Sequence, residues 1–269
     1  MPQSGGERTG AGALLRIDNV SVRFGGIIAL DQVSFAIDSG AIAGLIGPNG
    51  AGKTTLFNCL SRLYDVERGS IEFDGQPLLA APRHRIAAMG IGRTFQNVAL
   101  FRSMSVLDNI LLGRHCRGGS GFFSNALRLP RVRQEEREAI GKAREMIAFL
   151  ELDAVAATRV ADLPFGTQKR VELGRALLGE PKLLLLDEPA SGLNHSEVET
   201  LAQLIRDVRD RLRVTILLVE HHMNLVMGVS DKVVALDFGR KIAEGAPAEV
   251  RAHPELIRAY LGTALRTAH

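Results

Sequence analysis

A chain of 269 residues with 46% hydrophobic and 23% charged side chains has the make-up of a globular protein, large enough to bury a sizeable core as one large domain or two small ones. Its longest purely aliphatic run, Leu183 to Leu186, falls far short of the ~18–20 apolar residues a membrane-spanning helix needs, so any membrane role has to come through a partner. A formal net charge of +3 gives no basis for a nucleic-acid partner, and the two cysteines, Cys59 and Cys116, stand at no metal-binding spacing and fit a reducing compartment.

Residues 1–13 are small and polar with no apolar stretch, so they read as a flexible tail and not as a signal peptide, which points to the cytosol. Period-2 patterns over 14–24 and 29–37, on either side of Gly25-Gly26, predict two strands, and 41–46 predicts a buried strand behind them. Asp74-Gly75 marks a further hairpin within 70–78, and 85–96 runs from a helix end through Gly90 into a strand. From about 98 to 165 strand signals disappear. Ile140, Met146, Ile147 and Leu150 recur there at roughly helical spacing between charges, so the section reads as an inserted helical subdomain. Helix (about 167–178), strand (182–187), helix (195–211), strand (213–220), helix and strand (232–237) follow. Alternating helices and nearly continuous apolar strands predict an α/β fold whose mainly parallel sheet is covered on both faces.

The stretch GPNGAGKT (47–54) satisfies the phosphate-loop pattern G-x-x-x-x-G-K-[ST], with a buried strand before it and a helix after it. Gly47, Pro48, Asn49, Gly50, Ala51 and Gly52 would curl their backbone around a phosphate, and the helix starting near Lys53 aims its positive end at the anion. Lys53 would bridge β- and γ-phosphates, the Thr54 hydroxyl would ligate Mg²⁺, and Thr55 would add an α-phosphate contact. A plain Gly-rich turn between strand and helix is the competing explanation. The second constellation, LLLLDEPASGLN (183–194), is an apolar strand ending in Asp187 and Glu188. Beside a polyphosphate, Asp187 would hold the metal directly or through water, and Glu188 would polarise the attacking water as general base. Without the phosphate loop, two solvated acids at a strand end would suffice.

With these motifs in place, residues 14–262 resemble the ATP-binding subunit of an ABC transporter. The resemblance implies a P-loop NTPase core of the RecA-like type with an N-terminal antiparallel β-subdomain, the helical insertion, and a C-terminal tail at 263–269. RTFQN (93–97) resembles the Q-loop, making Gln96 a contact to Mg²⁺ and the attacking water. LVEHHM (218–223) resembles the switch region, making His221 the γ-phosphate contact; His222 stands where the family has an acid and is given no role. Phe24 resembles the aromatic that stacks on adenine, although a strand-end core position would explain it equally. SGLN (191–194) resembles the D-loop, with Asn194 where aspartate is common. LPFGTQ (163–168) falls in the frame of the L-S-G-G-Q signature, keeping Gly166 but placing Pro164 at the serine position and Phe165 at the first glycine; Thr167 offers a substitute hydroxyl.

Three stretches, 113–139, 219–250 and 253–262, resemble the ATPases of branched-chain amino acid importers. The family implies two integral-membrane permease subunits, a second ATPase subunit of the same or a different sequence, and a substrate-binding protein acting indirectly from outside. It also implies a peripheral place on the cytoplasmic face of the inner (plasma) membrane. ATP and Mg²⁺ would be sandwiched head to tail between one subunit's phosphate loop and the other's signature, and hydrolysis would drive uptake of a branched-chain or other hydrophobic amino acid or a related amide. Two alternatives are the ATPase of a lipopolysaccharide-export complex and a soluble ATP-binding regulator without a transport role. The segment 114–133, with five arginines and no acid, speaks against the first; it reads either as a solvated loop or as a contact to the permease or to anionic lipid.

Overall fold

The computed structural model describes residues 12–94, 98–117 and 130–266. Two sheets organise them. The first is antiparallel, in the order β2-β1-β4-β5, with β1 Ala13–Phe24, β2 Ile27–Asp38, β4 Arg68–Phe73 and β5 Gln76–Pro77. Its alternation changes phase midway: Leu15 and Ile17 point inward, then Val20 and Val22 do. A bulge absorbs the extra residue where Asn19 takes φ 48 and its N–H donates to Ser34 Oγ at 2.7 Å.

The second sheet has the order β10-β9-β3-β8-β7-β6, with β3 Ile42–Ile46, β6 Ile91–Arg93, β7 Leu183–Asp187, β8 Thr215–Val219, β9 Lys232–Asp237 and β10 Arg240–Gly245. Every residue of β3, β7 and β8 is buried, as continuous aliphatic runs require of a sheet covered on both faces. Side chains divide by parity. Ile42, Leu184, Leu186, Ile216 and Leu218 face one core together with the helical section and the helices after it. Ala43, Leu45, Leu183, Leu185, Leu217 and Val219 face the other, with α1 (Lys53–Leu60) and the antiparallel sheet. Asp31 of β2 joins the two sheets, donating its N–H to Gly239 O at 2.8 Å and pairing with Arg240.

Helix α2 (Ile86–Met89) ends at Gly90, whose φ of 105 turns the chain into β6. The inserted section holds α3 (Val106–Leu111) and α4 (Pro130–Phe149), with short 3₁₀ turns between and after them. Ala143, Ile147 and Leu150 are buried and Ile140 and Met146 half-buried, so the expected apolar stripe exists. Then come α5 (Phe165–Leu178), α6 (His195–Leu212), α7 (Met223–Val229), α8 (Pro247–Arg251) and α9 (Pro254–Arg266). Asn194 caps α6, accepting from Glu197 N–H at 3.0 Å while Glu197 returns a bond to Asn194 N–H; asparagine and aspartate serve this position alike. The edge strand β10, antiparallel to β9, was not expected, and α9 continues past Gly262 to Arg266. Among the described residues no helix is long and apolar enough to cross a membrane.

Candidate functional site

Parallel pairing sets Leu45 against Val219 and Val219 against Asp187, so the C-terminal ends of β3, β8 and β7 lie side by side. Ligands in open α/β sheets bind beyond these ends, and the chain places the 47–54 loop, His221 and the Asp187-Glu188 pair there. The loop is held open by its backbone. Gly50 (φ 81) and Gly52 (φ 101) sit in the left-handed region, and a Cβ on Gly52 would come within 2.6 Å of Ala29 O, so packing against β2 as well as the curl of the loop demands glycine. Gly239, in the β9–β10 turn, donates its N–H to Ala51 O at 3.1 Å, and Gly47 N–H donates to Tyr260 Oη of α9 at 3.2 Å. Burial pushes the Tyr260 phenol above its usual range, and that bond opposes the rise.

Helix α1 starts on this loop with no acid in its first turn, leaving its positive end free of a competing charge. Lys53 is buried and donates to Gly47 O at 2.7 Å and Pro48 O at 3.0 Å. Burial lowers its pKa, and the Glu188 and Asp187 carboxylates pull it back up. Thr54 is exposed and Thr55 half-buried at the same end. Asp187 is buried and paired with Arg93 of β6, Nη2 to Oδ2 at 2.8 Å; Arg93 also donates to Asn58 Oδ1 and Ser61 Oγ. A carboxylate and a hydroxyl are hard oxygen donors suited to Mg²⁺, which keeps much of its shell as water and phosphate oxygen. The chemistry of the donor set therefore fits that ion.

Glu188 takes φ 47, an unusual conformation for a side chain-bearing residue. Its N–H donates to Val219 O at 2.9 Å, and its carbonyl accepts from Ser191 N–H at 3.1 Å and Lys169 Nζ at 3.3 Å. His221 is half-exposed, with Nδ1 3.9 Å from Oε2 of both Glu188 and Glu220. Glu220 is fully buried and accepts from Ala190 N–H at 2.6 Å and from His221 and His222 N–H at 3.1 and 3.3 Å.

The signature frame opens α5. Pro164 is its N-cap and makes no side-chain cap bond; Phe165, Gly166 and Thr167 form the first turn. The exposed Phe165 ring lies under Lys169 Nζ at 5.3 Å and against Gly192, where a Cβ would come within 2.9 Å of it. Gly166 is approached by Glu197, whose Oε1 would stand 2.7 Å from an added Cβ. Burial lowers the pKa of Lys169, while Glu172, Glu220 and Glu188 raise it.

Phe24 is 45% exposed at the tip of the antiparallel sheet, meeting Tyr64 edge to face at 4.9 Å, so it is not a buried core residue. Gln96 lies outside the described residues, as do residues 118–129 of the basic segment. Arg93, Glu220 and Tyr260 lie within stretches singled out from the sequence but were given no role there, and neither was Lys169; pairing across the chain brings all four to the site.

Residues 30–191 match the model of the ABC transporter family, and residues 240–265 match that of the branched-chain amino acid ATP-binding cassette transporter. The chain is 42% identical over 251 residues to the high-affinity branched-chain amino acid transport ATP-binding protein LivG of Salmonella typhimurium, covering 93% of this chain and 98% of that one. Identity to BraF of Pseudomonas aeruginosa, of the same description, is 39% with the same coverage. Among solved structures, the ADP conformation of an ATP-binding cassette of an ABC transporter superposes with a TM-score of 0.81 at 30% identity, covering 93% of this chain and 99% of that one. Of the two residues that brace the phosphate loop, Gly239 stands one residue before the second matched segment and Tyr260 lies within it. The chain belongs to the ABC transporter family, as one of its ATP-binding cassettes.

Proposed function

We propose that this cassette hydrolyses ATP to energise a membrane importer of branched-chain or other hydrophobic amino acids or related amides. The observation that carries the reaction is the convergence of Lys53, Asp187, Glu188 and His221 at the neighbouring ends of β3, β7 and β8; the substrate class rests on the likeness to LivG and BraF. Amides of residues 47–52 and the N-terminus of α1 hold the phosphates. Lys53, desolvated and flanked by carboxylates, is the cation for the β- and γ-phosphate oxygens, and Thr55 serves the α-phosphate. Thr54 and Asp187, with Gln96, would hold Mg²⁺, which would supply positive charge to offset that of the phosphates. Glu188 takes a proton from the water that attacks the γ-phosphorus, and His221 steadies the γ-phosphate beside it. Phe24 stacks on adenine.

Gly166 and Thr167 of one cassette close over the nucleotide of a second, same or different, in a head-to-tail dimer. The dimer binds integral-membrane permease subunits at the cytoplasmic face of the inner membrane and receives substrate through them from an extracytoplasmic binding protein. The 14–262 stretch acts as one ATPase domain carrying the helical section of about 98–165.

The test uses membrane vesicles holding the complete transporter, with ATP supplied on the cassette side. Leucine or isoleucine uptake should require ATP. Glu188→Gln should keep ATP affinity, abolish uptake and slow hydrolysis by the ~10²–10⁴-fold typical of a lost general base. Wild-type hydrolysis by the variant would refute the base; a wild-type complex that hydrolyses ATP yet moves no branched-chain amino acid would refute the substrate class.

A further inference from the structure

The reaction above makes no use of Glu220. Its carboxylate has no exposed surface, and a buried carboxylate is costly unless hydrogen bonds satisfy it. The bonds it makes are divided between two loops. Oε1 accepts from Ala190 N–H at 2.6 Å, two residues past Glu188; Oε2 accepts from His221 and His222 N–H at 3.1 and 3.3 Å, at the start of the next loop. A second link runs beside it, from Glu188 N–H to Val219 O at 2.9 Å. The Lys169 ammonium, half-buried on α5, supplies positive charge to Glu220 and Glu188 together. A hydrophobic residue at this position would leave amides of both loops without their acceptor, and a hydroxyl could not span the two.

We propose that Glu220 is a positioning residue: one buried carboxylate yokes the loop carrying Glu188 to the loop carrying His221, fixing the two side chains relative to each other. This rests on the reading of Glu188 and His221 as the general base and the γ-phosphate contact. The two carboxylates stand at 3.9 Å from the same imidazole nitrogen, so a shift of either loop alone changes the distance between base and histidine. Neither end of Glu220 touches the phosphate loop through any of these bonds, so nucleotide binding is left to other residues.

Glu220→Gln keeps the shape but replaces one accepting oxygen by an NH₂ that cannot accept, so one loop loses its bond. In the assembled transporter, KM for ATP should stay within about twofold while kcat falls by roughly 10- to 100-fold, the scale of an ångström-sized misplacement of reacting groups. Amide hydrogen exchange should become faster in 188–191 or in 220–223, with the thermal midpoint of the domain nearly unchanged. A Gln variant with wild-type kcat, or one that loses ATP affinity as much as kcat, overturns the proposal. Should the variant not fold, amide-resolved exchange on the unaltered chain decides: Ala190, His221 and His222 should open together at one rate, and independent opening of Ala190 overturns the yoke. Glu188→Gln, measured in parallel, separates the outcomes: wild-type hydrolysis there overturns the base and leaves the exchange result on Glu220 standing.

Discussion

Replacing Phe24 by alanine should weaken binding of ATP and GTP together by roughly 5- to 150-fold, the equivalent of the ~1–3 kcal/mol that one stacked base contributes. The prediction follows from where the ring sits. It lies beyond Val22, the last buried residue of β1, and is 45% exposed, with its edge contact to Tyr64 at 4.9 Å and an interplanar angle of 72°; an edge-to-face partner leaves the rest of the ring surface open for a base. The cost to the fold is separable. Alanine forfeits about half of the ~1.5–3 kcal/mol that a fully buried phenylalanine contributes, together with ~0.5–1.5 kcal/mol for the aromatic pair. Both fit within the ~5–15 kcal/mol by which domains are stable. Equilibrium titration with fluorescent analogues of ATP and GTP gives the affinities, and circular dichroism with a thermal melt monitors the fold. Phe24→Tyr should be nearly silent, since tyrosine offers the same π face. Unchanged affinity in a folded alanine variant would refute the stacking role, and a loss for ATP but not for GTP would show base-specific hydrogen bonding instead.

Cys59 sits on the buried face of α1, and burial pushes its thiol up to about 12 from 9.0; in a Cys116→Ser background it should resist alkylation at pH 8 until denaturant is added. Because the unfolded thiol ionises first, its contribution to stability is complete below pH 9 and is lost between 9 and 12, by up to ~1.4 kcal/mol per pH unit; rapid native-state labelling would refute this. In a dimer of unlike cassettes, Pro164→Ser should raise hydrolysis at the partner's site by roughly tenfold, about one hydrogen bond of ~1.4 kcal/mol, measured with this chain silenced by Glu188→Gln. No gain, with or without Phe165→Gly, would mark the departure at 164–165 as neutral.

The parts of the site that form from contiguous residues were legible in the sequence, and the parts that form by pairing were not. A phosphate loop needs its glycines, lysine and threonines in one run, and Asp187-Glu188 need only follow a buried strand, so both could be read in place. Glu220 could not: its role exists only because β7 and β8 pair Asp187 with Val219. Arg93 reaches Asp187 across 94 positions, and Tyr260 reaches Gly47 across 213. Strand β10 was missed for a local reason. It is a half-exposed edge strand without an aliphatic run, and its hairpin turns through Phe238 (φ 42) and Gly239 (φ 79) in place of the Asn-Gly pair that announces such turns. Phe24 was ambiguous because a strand-end aromatic satisfies a core and a stacking role equally until exposure is known.

The departures in the signature frame gain a structural setting from α5. Phe165, where the family carries glycine, rests on Gly192 of the following loop and under Lys169. Lys169 in turn donates to the carbonyl of Glu188. The N-terminal part of α5 is thus joined by two contacts, through Phe165 and Lys169, to the loop that carries this chain's own proposed base, while in the proposed head-to-tail dimer its N-terminus would face the partner's nucleotide. A carbonyl held at 3.3 Å by an ammonium tolerates little displacement before the bond is lost, and Glu188 holds a left-handed conformation that its surroundings have to sustain. Any displacement of α5, such as the proposed closure over a partner's ATP would bring, therefore has to shift Glu188 or release it from Lys169. A glycine at 165 would remove the aromatic half of that linkage and leave only the lysine, so in the proposed dimer the bulky residue would exchange an easier approach to the neighbouring phosphate for a firmer connection between the two sites.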